Sequence, residues 1–142
     1  MIHFQLVALT GTKFDGEAYE ITLPTLEGEI GVLQDHMPLV SVATNGVIAV
    51  RREAKDADRD RDYFAISGGV IDVSNNVLRV LVDEADHADD INEAEAEAAM
   101  ERARAMQAEA QDEVSLEHAQ ALVDRHAVRL QVAGLKKRHQ KR

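Results

Sequence analysis

Val70-Ile71-Asp72-Val73-Ser74-Asn75-Asn76-Val77-Leu78-Arg79-Val80-Leu81-Val82 reads as two strands about a tight turn. Asn75-Asn76 supplies the turn, because Asn tolerates the positive φ that a twist-compatible hairpin needs. Working outward, apolar residues from Ile2 to Asp83 recur at every second position or in short runs, broken by turn residues at the spacing of an all-β domain. Ile2, Phe4, Leu6 and Ala8 line one face of a first strand, and Tyr19, Ile21 and Leu23 line another that ends at Pro24. The run from Gly46 to Val50 pairs with Tyr63 to Ile66. The almost wholly charged stretch 51–62 between them reads as a solvated hairpin extension. The expected fold of residues 1–87 is an antiparallel β-sandwich or flattened barrel.

The period changes after Asp83. An acidic connector leads into Asp90-Ile91-Asn92-Glu93, where Asp90 with Glu93 fits a capping box. From Ile91 to about Ala110 the chain is rich in Ala, Glu, Met and Arg, all strong helix formers, with Ala94, Ala98, Ala105 and Ala108 roughly on one face. A second helix is expected from Leu116 to about Leu135, capped by Ser115 and striped by Leu116, Ala119, Val123, Ala127 and Leu130. The short connection makes residues 91–137 an antiparallel two-helix hairpin, with 138–142 a basic tail. An interface made mostly of Ala gains less than one of Leu, at roughly 25 cal/mol per Å2 of apolar surface, so the hairpin reads as a detachable appendage.

Composition narrows the function. With 142 residues, 45% hydrophobic and 30% charged, the chain suits one globular domain with an appendage. Its formal net charge is −10, yet Lys136, Lys137, Arg138, Lys141 and Arg142 gather at the end with no acid among them. An acidic body repels nucleic acid and anionic lipid, while the basic tail suits an acidic partner surface. Cysteine is absent, which removes disulfides and thiolate sites. No run approaches the ~20 apolar residues of a membrane span and no signal segment opens the chain, so the sequence reads as cytoplasmic and soluble.

No catalytic constellation emerges. Gly11-Thr12-Lys13 has the wrong order for a phosphate-cradling loop, and Ser67 lacks the context of a nucleophile elbow. His118 and His126 lie two helical turns apart on one face, but two ligands rarely make a metal site, and one exposed with one packed histidine is the plainer reading. Neither an enzyme nor a cofactor is expected. Gly68-Gly69 sits between strands, where close approach of backbones is the reason for glycine.

Two signatures carry a family resemblance. One is Gly28-Glu29-Ile30-Gly31-Val32-Leu33-Gln34-Asp35-His36-Met37-Pro38, read as a shaped loop in which glycines adopt φ values closed to other residues and Pro38 extends the residue before it. The other is Ala65-Ile66-Ser67-Gly68-Gly69-Val70-Ile71-Asp72-Val73. Together with the helical tail, from about Phe4 to Lys137, they resemble the ε subunit of F-type ATP synthases, called δ in mitochondria. The resemblance implies a non-catalytic rotor subunit of the central stalk, coupling the catalytic head and the gamma subunit to the membrane ring of c subunits during ion-driven ATP synthesis. It implies ring contact by Glu29 and His36, and a fold-maintaining role for Gly28, Gly31, Pro38, Gly68 and Gly69. It implies a peripheral place on the cytoplasmic face of the membrane, without insertion. The hairpin would be a regulatory arm, with Arg125, Arg129, Lys136, Lys137 and Arg138 reaching the alpha and beta catalytic subunits transiently when it extends.

Some relatives bind ATP on the folded hairpin through an Ile-Asp-x-x-Arg-Ala pattern and arginines of the second helix. The matching run here is Ile91-Asn92-Glu93-Ala94-Glu95-Ala96, so Asn92 and Glu95 break the pattern while Arg125 and Arg129 remain. A carboxylate at Glu95 repels phosphate, so ATP sensing is expected to be weak or absent. The rival reading from another class is a free-standing adaptor or chaperone-like binding module that uses the hairpin as a helix-in-groove ligand.

Overall fold

The computed structural model describes residues 1–140; Lys141 and Arg142 of the basic tail lie outside them. Ten strands come first: β1 (Ile2–Ala8), β2 (Gly11–Ala18), β3 (Glu20–Thr25), β4 (Gly28–Leu33), β5 (Leu39–Ala43), β6 (Gly46–Arg51), β7 (Asp62–Ile66), β8 (Gly69–Ser74), β9 (Val77–Val82) and β10 (Ala85–His87). Two helices follow, α1 (Glu93–Glu109) and α2 (Glu113–Gln140). The sheet order is β10-β7-β6-β3-β5-β8-β9-β1-β2, with β4 on the other edge of β3. β10 returns against β2, so the sheet is a nearly closed, flattened barrel. β1 and β9 run parallel; the other pairs are antiparallel.

Period-two alternation builds the core. Ile2, Phe4, Leu6 and Ala8 point inward with Ile21, Leu23, Ile48, Val50, Ile71, Val73, Leu78 and Val80. Asn75 and Asn76 carry φ of 51° and 60°, and their hairpin pairs Ser74 with Val77. Gly46 to Val50 pairs with Asp62 to Ile66 as expected. Pro24 does not end its strand. It lies within β3 where pairing passes from β6, through Thr22, to β5, through Thr25, a gap in which its missing N–H costs no ladder bond.

Several local readings need correction. Gly28 to Leu33 is a strand, not a loop, and pairs along the whole of β3. Only Gly28 of its two glycines has a positive φ, 116°; Asp35, at 60°, makes the turn that follows. Helix α1 is capped by Asn92, whose side chain accepts from the Glu95 N–H at 3.0 Å, while Asp90 closes a 3-10 turn. Helix α2 is capped by Asp112, which accepts from the Ser115 N–H at 2.7 Å and is held below the usual carboxylate range by that bond. The buried face of α1 is Ala96, Met100 and Ala103, and Ala94, Ala98, Ala105 and Ala108 face water. On α2, Ala119 is buried as expected, but Leu116 and Ala127 are exposed; His126, Val132 and Ala133 are buried instead.

The helices stack in sequence on the sheet. Val128, Val132 and Leu135 of α2 pack on Tyr63, Ala65, Val47 and Ala49, at the i, i+4, i+7 spacing of one helical face. α1 then packs antiparallel on α2.

Candidate partner surfaces and the base of the arm

The outer face of four adjacent strands carries the first candidate surface. Val42 of β5 pairs with Val70 of β8, Val70 with Leu81 of β9, and Leu81 with Val7 of β1. Cross-strand partners share a face, so these side chains form one row across the sheet. Val40 extends it; Val40 is 75% exposed, Val42 50%, Val70 48% and Leu81 54%. Their inward neighbours Ile71, Val73, Val80 and Val82 are buried, so the sheet is apolar on both faces along this row, while Asp72, Arg79 and Gln5 form a polar row beside it. A contiguous apolar row left in water marks a docking surface. Its location was readable in the near-continuous apolar runs of 70–73 and 77–82, a pattern of strands covered on both sides.

The second candidate is β4 with its flanking turns. Glu29 lies opposite Pro24 near the start of β4 and is exposed. His36 lies beyond its far end, where the His36 N–H donates to the Leu33 carbonyl at 3.1 Å and Nδ1 sits 2.7 Å from the Met37 carbonyl. The four residues from Glu29 to Leu33 span about 13 Å of extended strand, so the two are not neighbours. The His36 turn is fixed from outside: the Asp35 N–H donates to Asn76 Oδ1 at 2.9 Å, and the N-terminal ammonium donates to Gln34 Oε1. The glycines divide by geometry. A Cβ on Gly69 would sit 1.9 Å from the Leu81 carbonyl oxygen, and one on Gly68 2.9 Å from that of Ala43, whereas Gly31 has open space.

The third candidate is the seam between α2 and the connector. Arg125 meets Glu84, Arg129 Nε lies 3.2 Å from Asp86 Oδ2, Lys136 meets Asp89, and Lys137 Nζ lies 3.8 Å from Glu93 Oε2. The Nε atoms of Arg125 and Arg129 are buried and face these carboxylates off the hydrogen-bond direction, so the contacts are ionic rather than directed. Lys136 holds Asp89 below the usual carboxylate range. The four cations thus bind the arm's own base, while Arg138 is exposed. Further toward the hairpin tip α2 stands off the sandwich. An open gap of about 390 Å3 lies between Asn45, Gly68 and Asp83 on one side and His118, Ala121 and Leu122 on the other.

Among the described residues no cluster of His, Asp and Glu could hold a metal ion, and no helix is long and apolar enough to cross a membrane. His118 is exposed and His126 buried; the Asn92 side chain is spent on the α1 cap, where it accepts the Glu95 backbone N–H, while the Glu95 side chain is exposed.

Residues 1–88 match the family model for the ATP synthase Delta/Epsilon chain, beta-sandwich domain. The ATP synthase epsilon chain of Lactobacillus delbrueckii subsp. bulgaricus is 33% identical over 137 residues, covering 94% of this chain and 93% of the relative. That of Gloeobacter violaceus is 32% identical over 133 residues, covering 94% and 97%. Among solved structures, a chain of the Euglena gracilis mitochondrial ATP synthase, in its OSCP/F1/c-ring assembly, superposes with a TM-score of 0.76 at 27% identity, over 93% of this chain and 80% of that one. A nearly closed β-sandwich followed by a two-helix arm, a family model matched over residues 1–88 and relatives matched over almost their whole length agree: this chain belongs to the ATP synthase delta/epsilon family.

Proposed function

We propose that Val40, Val42, Val70 and Leu81 seat this chain on the gamma subunit, while β4, with Glu29 and the His36 turn, meets the polar loops of the c-subunit ring. As an epsilon chain the protein is a non-catalytic subunit of the ATP synthase central stalk, linking the catalytic head and gamma to the rotor ring. The observation that carries the proposal is the exposed apolar row, since a surface of that kind on a sheet buried on its other face needs a partner to cover it. Glu29 and His36 contribute as two polar points at opposite ends of one edge strand, a geometry that resists rocking on a ring. Gly28 and Pro38 shape that edge, and Gly68 and Gly69 let β8 close on its neighbours.

Residues 1–87 act as the docking module and 91–137 as a regulatory arm that restrains ATP hydrolysis when it leaves the sandwich and reaches the alpha and beta subunits. On release, Arg125, Arg129, Lys136, Lys137 and Arg138 become available to acidic surfaces there. The protein then works at the cytoplasmic face of the membrane as a peripheral component. In the folded arm Arg125 and Arg129 already face Glu84 and Asp86, which supports weak or absent ATP binding. Calorimetry with ATP should show no binding below the millimolar range, and tighter binding would refute this point.

The test is ATP hydrolysis by the cognate catalytic head with gamma, alone, with the full chain, and with a chain ending at Asp89. Both forms should co-purify with gamma, and only the full chain should inhibit. Binding without inhibition by either would remove the arm's role; failure of both to bind gamma would remove the docking assignment.

A further inference from the structure

We infer that His126 is an acid-sensitive catch within the arm: on taking up a proton it expels the Arg129 guanidinium and parts α1 from α2. The inference concerns packing inside the arm, and it stands or falls separately from any restraint of hydrolysis.

The imidazole is buried between the helices, on the same α2 face as Ala119 and Ala133. Arg129 Nη1 lies 3.3 Å from His126 Nδ1. A guanidinium only donates, so Nδ1 must accept and the proton of the neutral ring resides on Nε2. Protonating Nδ1 replaces that bond with two donors face to face. The charged groups around the ring make matters worse: Arg102 comes from α1 and Arg125 and Arg129 from α2, opposed by Glu84 of the connector. Arg129 is also the residue that meets Asp86 on β10, so displacing it disturbs the seam to the sandwich as well. Burial first, and then the three arginines, hold the imidazole below its ordinary value of 6.5.

The sign follows from linkage. A group with a depressed value in the closed arm binds more protons when the arm is open, so closure is strongest above 6.5 and is lost as pH falls through the depressed value. Mild acid at about pH 5 to 6 addresses imidazoles ahead of carboxylic acids as a class, so the histidines are the groups to test. His87, which faces Asp62 at 2.9 Å at the base of the arm, is the other histidine near the seam.

The chain has no cysteine, so Ala98→Cys on α1 and Ala127→Cys on α2, both exposed, can carry a pair of nitroxide labels on the full-length protein. One short interhelix distance is expected at about pH 7.5, with a longer population growing toward about pH 5 and the open-to-closed ratio rising by at most about tenfold per pH unit. His126→Gln keeps an acceptor for Arg129 but takes up no proton, and should stay closed across that window. Opening that persists unchanged in His126→Gln assigns the trigger elsewhere, to His87 first, and overturns the inference; so does a wild-type arm that never opens. Should His126→Gln be open at every pH, the wild-type imidazole resonance decides. Its titration midpoint must coincide with the opening midpoint, and a separation of more than about one pH unit overturns the inference.

Discussion

Phe4, Leu6, Ile21, Leu23, Ile48, Ile71 and Leu78 of the sandwich are wholly withdrawn from water, whereas α1 closes the arm with Ala96, Met100 and Ala103. The first set buries large branched and aromatic side chains; the second buries methyl groups and one flexible thioether. At roughly 25 cal/mol per Å2, the sandwich gains several times more per residue than the arm. The arm compensates with the ion pairs from Arg125 to Lys137, which are partly exposed and contribute only about 0 to 1 kcal/mol each. A rigid module and a weakly held one are thereby joined in one chain.

The largest expected effects lie in the sandwich. Leu23→Ala should cost about 2 to 5 kcal/mol in urea unfolding, and Gly69→Ala should do at least comparable damage because its methyl would overlap the Leu81 carbonyl. A Gly69→Ala protein with an unchanged unfolding midpoint would show that the β8–β9 approach is looser than the structure makes it. Next comes the docking row: Val70→Asp should weaken gamma binding by tenfold or more in calorimetry, while the free energy of unfolding changes by no more than about 0.5 kcal/mol, as for other exposed positions. Equal losses in both assays would mean that Val70 serves the fold rather than the partner.

The arm should respond where the sandwich does not. Raising salt from about 0.05 to 0.5 M screens the seam, so amide exchange in α1 and α2 should speed up while that of β1 and β9 stays put. Arg129→Ala should produce the same pattern at low salt. Uniform acceleration across both regions would erase the distinction between them.

The smallest effect is a pH contrast. His3 bridges Glu17 at 2.9 Å and Asp15 at 2.6 Å, and these bonds raise its value above 6.5. A raised value means the contribution is full below 6.5 and is lost as pH rises through the folded value, so mild acid tightens the β1–β2 edge while it loosens His126. Imidazole titration by NMR should place the two midpoints on opposite sides of 6.5.

The contrast also explains what could be read from sequence. The sandwich was legible because its side chains differ in size: alternation at Ile2, Phe4, Leu6 and Ala8 leaves one way to face the strand. In α1 alanine occupies every face, so Ala94 and Ala96 look alike, and its two large apolar side chains disagree, Met100 being buried and Met106 exposed. The caps went astray because Asp90 and Asn92, or Asp112 and Ser115, are equally able acceptors, and tertiary packing chooses between them. β4 was missed because its glycines suggest a loop, while pairing with β3 makes it a strand. The seam at Arg125 and Arg129 depends on contacts between distant parts of the chain that no local pattern records.

The gap beneath the N-terminal half of α2 has a mechanical consequence. The ionic grip on the connector begins at Arg125, so the twelve residues back to Glu113 overhang by about 18 Å. A cantilever of that length converts a ten-degree tilt at its root into roughly 3 Å at the tip. Thermal agitation too small to break any contact at the root would still sweep the hairpin turn through the width of a water molecule, so small motions at the root are largest, and easiest to see, at the turn.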